Sequence, residues 1–461
     1  MKNRISKVFI EYWDIIGIAV MYFALHLFMH TDYWDDIGTT QIFVNYKGNI
    51  LQYLKDMYVL WSSRIFIQAV WPIIGYLPNI VWKMLDVVMI CIWYFYFKQL
   101  ILLLCNRSRE TNKERVFICG TFCAFPYALM GTAGWMTTTM VYTWTFTSSC
   151  YFIYLLFACM KGKKIRWYEY LIYGVAVLYS GNFNVTSIGF VILFVLMFHK
   201  SSKKSYWILW CEGIILTLLN LGLFMFAPGN KRRNIQDAKI HGTSDVLSLS
   251  VFGKIRMGIN STFYHFISVP NVILFLFCVI VAICAMKCYK SIWMKVLAWI
   301  PVLLDAVWTG YIFIKYTVPN RMLTYVYPDA VFQTCPKGEQ YLGFISACIM
   351  LGLLCLSYMM MVSDRVLRWS GAYSVLIWGA LPVVALGFAA TVSASVIRMA
   401  SFLYISFMFC SIILVLKNNI LENKQHISRW NVDYNLVLRI IVFTGVILNV
   451  LQVLRHIAVY G

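Results

Sequence analysis

The sequence predicts an all-α integral membrane protein, and three observations support that prediction. The chain is 61% hydrophobic and 13% charged, whereas ordinary soluble proteins are roughly 45–50% and about 25%. Apolar runs of about twenty residues, long enough to cross a hydrocarbon core of about 30 Å, recur from end to end. Inside lipid each backbone amide needs a partner within its own segment, so these runs should be helices.

The formal net charge is +20, but it does not indicate nucleic-acid binding. Lysines and arginines cluster in short links between apolar runs, which is the pattern of cytoplasmic loops. The distribution of charge therefore predicts which loops face the cytoplasm. The expected partners are membrane lipids. It places the amino terminus in the cytoplasm and the carboxyl terminus outside.

Run length and link charge together predict about thirteen transmembrane helices in a single multi-span domain covering residues 1–461. The predicted spans lie near residues 9–30, 79–105, 116–132, 138–160, 167–181, 184–199, 206–227, 264–286, 292–315, 341–362, 372–392, 399–417 and 435–455. Three predicted outer loops, 30–78, 228–262 and 316–340, are longer than turns. Polar loops collected on one side can line a cavity, so we expect the functional site there.

Three carboxylates, Asp32, Asp35 and Asp36, follow the first predicted span. A carboxylate in a partly dry pocket could act as general base on a hydroxyl, because burial raises its pKa toward working pH. A solvated acidic loop is the alternative interpretation.

Five arginines lie on the predicted outer side, against the general preference for basic residues inside. A guanidinium can hold a phosphate through two parallel hydrogen bonds and stays charged in a low dielectric. For the set we favour a phosphate or pyrophosphate ligand, and for any single arginine an ion pair or a lipid headgroup is the alternative. They are Arg64, Arg232, Arg233, Arg321 and Arg398.

Ionisable residues within spans are functional candidates by default, since charge in lipid is costly. Lys83 and Asp86 are three residues apart and are expected to pair. Glu212 and Asp305 have no local partner; we expect them to pair with each other, with a buried backbone group or with another helix, and a proton or ion path is the alternative.

Two further patterns leave alternatives open. His26 and His30 are four residues apart and could bind a divalent metal together with the nearby acids, although hydrogen bonding is the commoner role. Tyr142 and Trp144 offer aromatic faces that suit sugar rings, but such residues also form the interfacial belt. No Walker-type loop is present, so we expect no ATP hydrolysis by the chain itself. No predicted cytoplasmic segment is long enough for a nucleotide-sugar domain, so any sugar donor should be lipid-linked.

Several motifs, in this order, resemble bacterial multi-span glycosyltransferases of the GT-C superfamily. Within this superfamily, the motifs are most similar to those of the glucosyltransferase-like branch, whose members modify surface polysaccharides. The motifs are Asp35-Asp36, Trp61-Ser62-Ser63-Arg64, Tyr142-Thr143-Trp144, Ser180-Gly181-Asn182-Phe183-Asn184, and Ala227-Pro228-Gly229-Asn230 followed by Arg232 and Arg233. The sequence departs from the pattern at Val185, where a carboxylate is expected.

The resemblance implies an enzyme of the bacterial cytoplasmic membrane. A polyprenyl-phosphate-linked sugar would enter from the outer leaflet, and Asp35 or Asp36 would deprotonate a hydroxyl of a surface glycan or glycolipid acceptor. Arginines would stabilise the departing phosphate. No cofactor is implied with certainty, and a divalent metal is the alternative. The motifs of the resemblance, together with the outer acids and arginines described above, predict the substrate-binding residues Asp32, Arg64, Tyr142, Trp144, Asn182, Asn230, Arg232, Arg233, Arg321 and Arg398.

Two other functions remain open from the sequence. A transporter or flippase for lipid-linked glycans would use Glu212 and Asp305 as coupling groups. A polysaccharide polymerase or ligase would take a pyrophosphate-linked oligosaccharide donor.

Overall fold

A computed structural model describes residues 2–198, 200–240, 248–268, 272–315, 369–422 and 433–460, with the isolated residues 246 and 352. Within these ranges the ordered elements are helices, and no strand is present. Five helical segments are long and apolar enough to cross a membrane: Asn79–Leu104, Trp135–Met160, Lys204–Phe226, Ser395–Lys417 and Tyr434–Val459. The prediction of an all-α membrane protein is confirmed at this coarser level, and the count of thirteen spans is not.

The described chain divides into two compact units. The first unit comprises residues 1–123, 127–233 and 449–461, and the second comprises residues 124–126 and 234–448. The prediction of a single multi-span domain stays a prediction.

The first unit carries the predicted site and begins with a long helix. Its helices are α1 (Lys2–Leu27), α2 (Asp35–Asn45), α3 (Ile50–Leu60), α4 (Ile65–Gln68), α5 (Trp71–Tyr76), α6 (Asn79–Leu104), α7 (Asn112–Cys123), α8 (Trp135–Val141), α9 (Thr143–Met160), α10 (Trp167–Gly181), α11 (Asn184–Met197), α12 (Lys204–Phe226) and the start of α13 (Pro228–Ile240). A 3₁₀ turn, Tyr127–Gly131, precedes α8. Helix α6 packs against α1 and α9, and α10 packs against α9 and α12.

The second unit contains α14 (Val251–Ser268), α15 (Ile273–Cys288), α16 (Ile292–Lys315), α17 (Trp369–Leu386), α18 (Val392–Lys417) and most of α19 (Tyr434–Tyr460). Helices α14 and α17 cross closely, because a side chain at Gly258 would lie 2.5 Å from the carbonyl oxygen of Val383. In the same unit His265 and Tyr404 form a buried hydrogen bond, with Nε2 and the hydroxyl oxygen 3.2 Å apart.

Three predicted boundaries differ from the structure. The predicted outer loop 30–78 holds four short helices, α2 to α5, and the predicted loop 228–262 is helical over Pro228–Ile240 and from Val251 onward. The predicted span 116–132 is divided, because α7 ends at Cys123 and a 3₁₀ turn follows at Tyr127. Hydropathy alone cannot locate such breaks, since the residues around them are as apolar as the helices. The predicted loop 316–340 and span 341–362 lie outside the described residues, apart from residue 352.

A buried ion network stabilises the first unit near the carboxyl-terminal end of α6. The ammonium of Lys98 lies 2.6 Å from Oδ2 of Asp14 and 3.3 Å from Oε1 of Glu110. The hydroxyl of Tyr94 donates to the same Asp14 oxygen at 2.7 Å, and Arg115 bonds Glu110 at 2.8 Å. Pairing of this kind is what allows charged groups to be buried.

Candidate functional site

The segment 61–64, which contains the Trp-Ser-Ser-Arg motif, is held by the Gly-Asn motif at the end of α10. Asn182 is almost fully buried, and its Oδ1 accepts from the backbone amides of Phe66 at 2.8 Å and Ile67 at 3.2 Å. Its Nδ2 donates to the carbonyl of Ser63 at 3.2 Å and to Oδ1 of Asn220 at 3.0 Å. One amide side chain thus anchors the segment 63–67 to α10 and α12.

The Ala-Pro-Gly-Asn motif reaches the same segment from a third direction. Asn230 Oδ1 accepts from the backbone amide of Ser63 at 3.1 Å, and its Nδ2 donates to the Ser63 hydroxyl at 3.2 Å. That hydroxyl in turn donates to Oδ1 of Asn184 at 3.1 Å. Gly229 has no room for a side chain, because a Cβ there would lie 2.5 Å from the backbone nitrogen of Trp61.

We call residues 61–64, 182–184 and 228–233 the asparagine cluster. The segment 61–64 is more than a hundred residues from the other two in the chain, yet all three share hydrogen bonds through Ser63. Asn182 and Asn230 bond protein groups, so the structure gives both a positioning role. Direct contact of either residue with a ligand stays a prediction.

Two arginines of this cluster lie over aromatic rings. The guanidinium carbon of Arg64 is 4.7 Å from the ring centre of Phe183, and that of Arg233 is 5.0 Å from the ring of Trp61. Both side chains are half-buried, whereas Arg232 is exposed. Cation–π contact fixes a guanidinium without neutralising its charge. Lys231, Arg232 and Arg233 also lie in the first turns of α13, and the amino-terminal end of a helix favours anions.

Asp36 lies apart from those arginine contacts, at the start of α8. Its side chain is fully buried, and its two oxygens accept from the amides of Met136 at 3.0 Å and Thr137 at 2.7 Å. Gly134 has φ +107°, and a Cβ there would meet Oδ1 of Asp36 at 2.5 Å. Asp36 thus satisfies two of the amides that a helix start leaves without partners.

Burial raises the pKa of Asp36 to about 6 from its ordinary value of 3.8. The two amide bonds act in the opposite direction, and the charge of Asp35 adds to the increase. Asp32 and Asp35 are exposed, and the backbone amide of Asp35 donates to the carbonyl of Ala133 at 3.2 Å. The three predicted acids are therefore one buried carboxylate and two exposed ones.

Both aromatic candidates are buried. Trp144 donates its indole nitrogen to Oδ1 of Asp86 at 2.8 Å, and the Tyr142 ring packs 5.1 Å from that of Phe183. Tyr142 thus lies beside the asparagine cluster. A sugar-binding role of either side chain stays a prediction.

The expected Lys83–Asp86 pair is wrong. Asp86 is fully buried and bonds Nε2 of His26 at 2.9 Å, as well as Tyr127 and Trp144. Lys83 instead donates to the carbonyl of Leu27 at 3.0 Å. The two residues lie on one face of α6, but tertiary partners satisfy the carboxylate better than a flexible neighbouring lysine. His26 has the hydrogen-bonding role that was the alternative to a metal site.

The remaining candidates belong to other parts of the chain. Arg398 belongs to the second unit, where its Nη2 lies 3.5 Å from the Ser395 hydroxyl oxygen. Arg321 lies outside the described residues. Glu212 is half-buried on α12 of the first unit against Gly174, and Asp305 is buried on α16 of the second unit. No group of three or more metal-binding side chains occurs among the residues that the structure describes.

Sequence reasoning did not single out the roles of Ser63, Asn220 and Gly229. Ser63 belongs to the Trp-Ser-Ser-Arg motif, in which the charge of Arg64 is the stronger functional signal. Asn220 is a lone amide within an apolar span, and such a residue usually has a buried partner. That signal could have paired it with Asn182.

Comparisons with family models, with curated proteins and with solved structures found no match in any of the three.

Proposed function

We propose that this protein is a membrane glycosyltransferase that moves a sugar from a polyprenyl-phosphate donor to a cell-surface glycan or glycolipid acceptor. The asparagine cluster carries the proposal. Three segments that resemble GT-C motifs converge on Ser63 through direct hydrogen bonds. Arg64 and Arg233 lie in this cluster over the rings of Phe183 and Trp61.

The cluster suits a phosphate monoester or diester better than a bare sugar. A guanidinium group binds a phosphate through two parallel hydrogen bonds. It also stabilises the negative charge that develops when the lipid phosphate departs. The basic first turns of α13 add to that field. The apolar helices around the cluster are suited to the polyprenyl chain.

In the proposed reaction, an acid after α1 removes the proton of the acceptor hydroxyl. The acceptor oxygen forms the new glycosidic bond, the bond from the sugar to the phosphate oxygen breaks, and the electron pair leaves with the lipid phosphate. Asp35 is exposed and accessible to an acceptor, whereas Asp36 is buried and accepts hydrogen bonds from two backbone amides. We assign the base to Asp35 or Asp36, with the asparagine cluster holding the phosphate.

Binding of a polyprenyl phosphate to the purified protein in lipid nanodiscs tests the proposal. We expect the Arg64→Ala plus Arg233→Ala variant to weaken binding at least about tenfold, which is about 1.4 kcal/mol. Arg109→Ala is the matched control, because Arg109 is exposed in the first unit far along the chain from the cluster. Unchanged binding by the double variant, or equal binding of the uncharged polyprenol, would contradict the proposal.

A further inference from the structure

The residue just before α2 has an unusual backbone conformation. Trp34 has φ +48° and ψ −133°, a region that residues with a large side chain rarely adopt. Such strain persists only where the surrounding structure imposes it, and it is concentrated at functional sites.

The neighbours of Trp34 impose this conformation from both sides. The hydroxyl of Tyr33 donates to the carbonyl of Gly131 at 2.6 Å. On the other side the amide of Asp35 bonds the carbonyl of Ala133, and the Asp36 carboxylate is held by α8. The chain is thus fixed at Tyr33 and at Asp35, with a single strained residue between them.

The consequence is an indole ring presented to the surroundings. The Trp34 side chain is 67% exposed, and among the described residues it makes no hydrogen bond and no ring contact. Its exposure on a strained and doubly anchored backbone indicates a ring that is held for a ligand.

The chemistry around the ring narrows the ligand class. An indole face binds the C–H face of a sugar ring, and the exposed carboxylates of Asp32 and Asp35 can accept hydrogen bonds from its hydroxyls. The same two carboxylates repel an anionic group such as a phospholipid headgroup. We propose that Trp34 binds the acceptor by stacking on a neutral sugar ring beside Asp35, a proposal that rests on the proposed glycosyltransferase function.

This assignment separates the acceptor from the donor within the first unit. The donor phosphate is held by Arg64 and Arg233 in the asparagine cluster, whereas the acceptor ring is held by Trp34. Substitution of Trp34 should therefore alter acceptor affinity and leave polyprenyl-phosphate affinity unchanged.

Binding of a labelled glycan to the protein in nanodiscs tests the assignment. The probe is the surface glycan extracted from a strain in which the gene is deleted. We expect Trp34→Ala to weaken glycan binding at least about tenfold, equivalent to about 1.4 kcal/mol, and Trp34→Phe to retain most of it. Trp167→Ala is the matched control, since Trp167 is 75% exposed in the same unit at the start of α10.

Two further variants exclude a mere membrane anchor. Trp34→Leu keeps an apolar side chain without an aromatic face, so it should bind the glycan as weakly as Trp34→Ala. Trp34→Gly removes the backbone strain, because glycine adopts positive φ readily, and should raise the melting temperature while abolishing glycan binding. Wild-type glycan affinity in the leucine variant or in the glycine variant would overturn the proposal.

The same samples distinguish failure of this proposal from failure of the proposed function. The acceptor assignment is wrong, and the donor assignment stands, if Trp34→Ala matches the wild-type protein in both measurements. These measurements are polyprenyl-phosphate binding and glycan affinity. If the wild-type protein binds no glycan at all, the acceptor assignment is likewise overturned. Loss of polyprenyl-phosphate binding only in the arginine variants supports the proposed function independently.

Discussion

The backbone amide of Ser63 donates a hydrogen bond to Oδ1 of Asn230, which lies 167 residues further along the chain, at 3.1 Å. The same asparagine binds the Ser63 hydroxyl through Nδ2 and the carbonyl of Phe224 at 2.9 Å. One side chain therefore connects the segment before α4 with the start of α13. The position of Arg64 relative to Arg233 depends on this connection.

Asn230→Ala should loosen the asparagine cluster. It leaves the amide of Ser63 without its partner, so we expect a loss of about 1–3 kcal/mol in the free energy of unfolding and weaker polyprenyl-phosphate binding. Thermal unfolding in detergent and binding in nanodiscs measure the two effects. Asn45→Ala, at an exposed position at the end of α2, is the control. Equal behaviour of the two variants would show that the Asn230 bonds do not hold the cluster.

Replacing the acids after α1 should have different effects at the two positions. Asp36→Ala removes the acceptor for two amides of α8, so we expect it to cost about 0.5–2 kcal/mol, as loss of a helix cap does. Asp35→Asn changes an exposed side chain and should alter stability by less than about 0.5 kcal/mol. Melting temperatures of the purified variants test both expectations. A larger loss at Asp35 than at Asp36 would contradict the structural assignment.

Stability should depend on pH through Asp36. Its folded-state pKa is raised to about 6, so between pH about 4 and 6 the folded protein keeps a proton that the unfolded chain releases. The contribution of this group to stability is therefore greatest below pH about 4, declines as the pH rises to about 6, and is level above. Its total change is on the order of 3 kcal/mol at most.

Asp36→Asn removes this pH dependence, because an amide does not titrate in the range. The melting temperature of the variant minus that of the wild-type protein should therefore rise as the pH increases from 4.5 to 6.5. Scanning fluorimetry across that range measures the difference. A difference that stays constant with pH would mean that Asp36 is not buried as the structure shows.

Asp86→Ala should be among the most destabilising single substitutions in the first unit. The Asp86 carboxylate on α6 bonds His26 of α1, Tyr127 of the 3₁₀ turn and Trp144 of α9, and its removal leaves these polar groups without that partner. Each buried polar group that is left without a partner costs about 1–3 kcal/mol. Asp56→Ala provides the surface control, since the hydrogen bond that Asp56 accepts from the Gln52 side chain on α3 is exposed. Similar melting temperatures for the two variants would contradict a stabilising role for Asp86.

His26 also illustrates what the chain alone could and could not indicate. The spacing of His26 and His30 left a metal site open, and only the fold shows that Nδ1 of His26 bonds the carbonyl of Tyr22 at 2.7 Å. A carbonyl cannot donate, so that nitrogen carries the proton. The partner of Nε2, Asp86, lies 60 residues away, a separation on which helical periodicity gives no information.

The fold class was predictable because lipid imposes helices wherever long apolar runs occur. The short helices α2 to α5 were not, since no membrane-length rule applies to polar segments and their packing depends on tertiary contacts. Gly75, for example, must be a glycine because a Cβ would lie 2.5 Å from the carbonyl oxygen of Thr39. That contact joins α5 to α2, and neither helix alone indicates it.

The candidate site was predictable in part for a similar reason. The motifs around Arg64, Asn182 and Asn230 were visible as short patterns, and the structure brings their segments together at Ser63. The strained backbone of Trp34 was not visible, because it follows from contacts of Tyr33 and Asp35 with the turn before α8. Local sequence carries no signal for a conformation that distant contacts impose.

The composition of the surface glycan in a deletion strain, measured by mass spectrometry, tests the central proposal most directly. The strain is rescued with the wild-type protein, with Arg64→Ala plus Arg233→Ala, or with Arg109→Ala, each present in the membrane at equal levels. We expect deletion to remove a sugar that the wild-type protein and the Arg109 variant restore and the double variant does not. An unchanged glycan in the deletion strain, or full restoration by the double variant, would contradict the proposal.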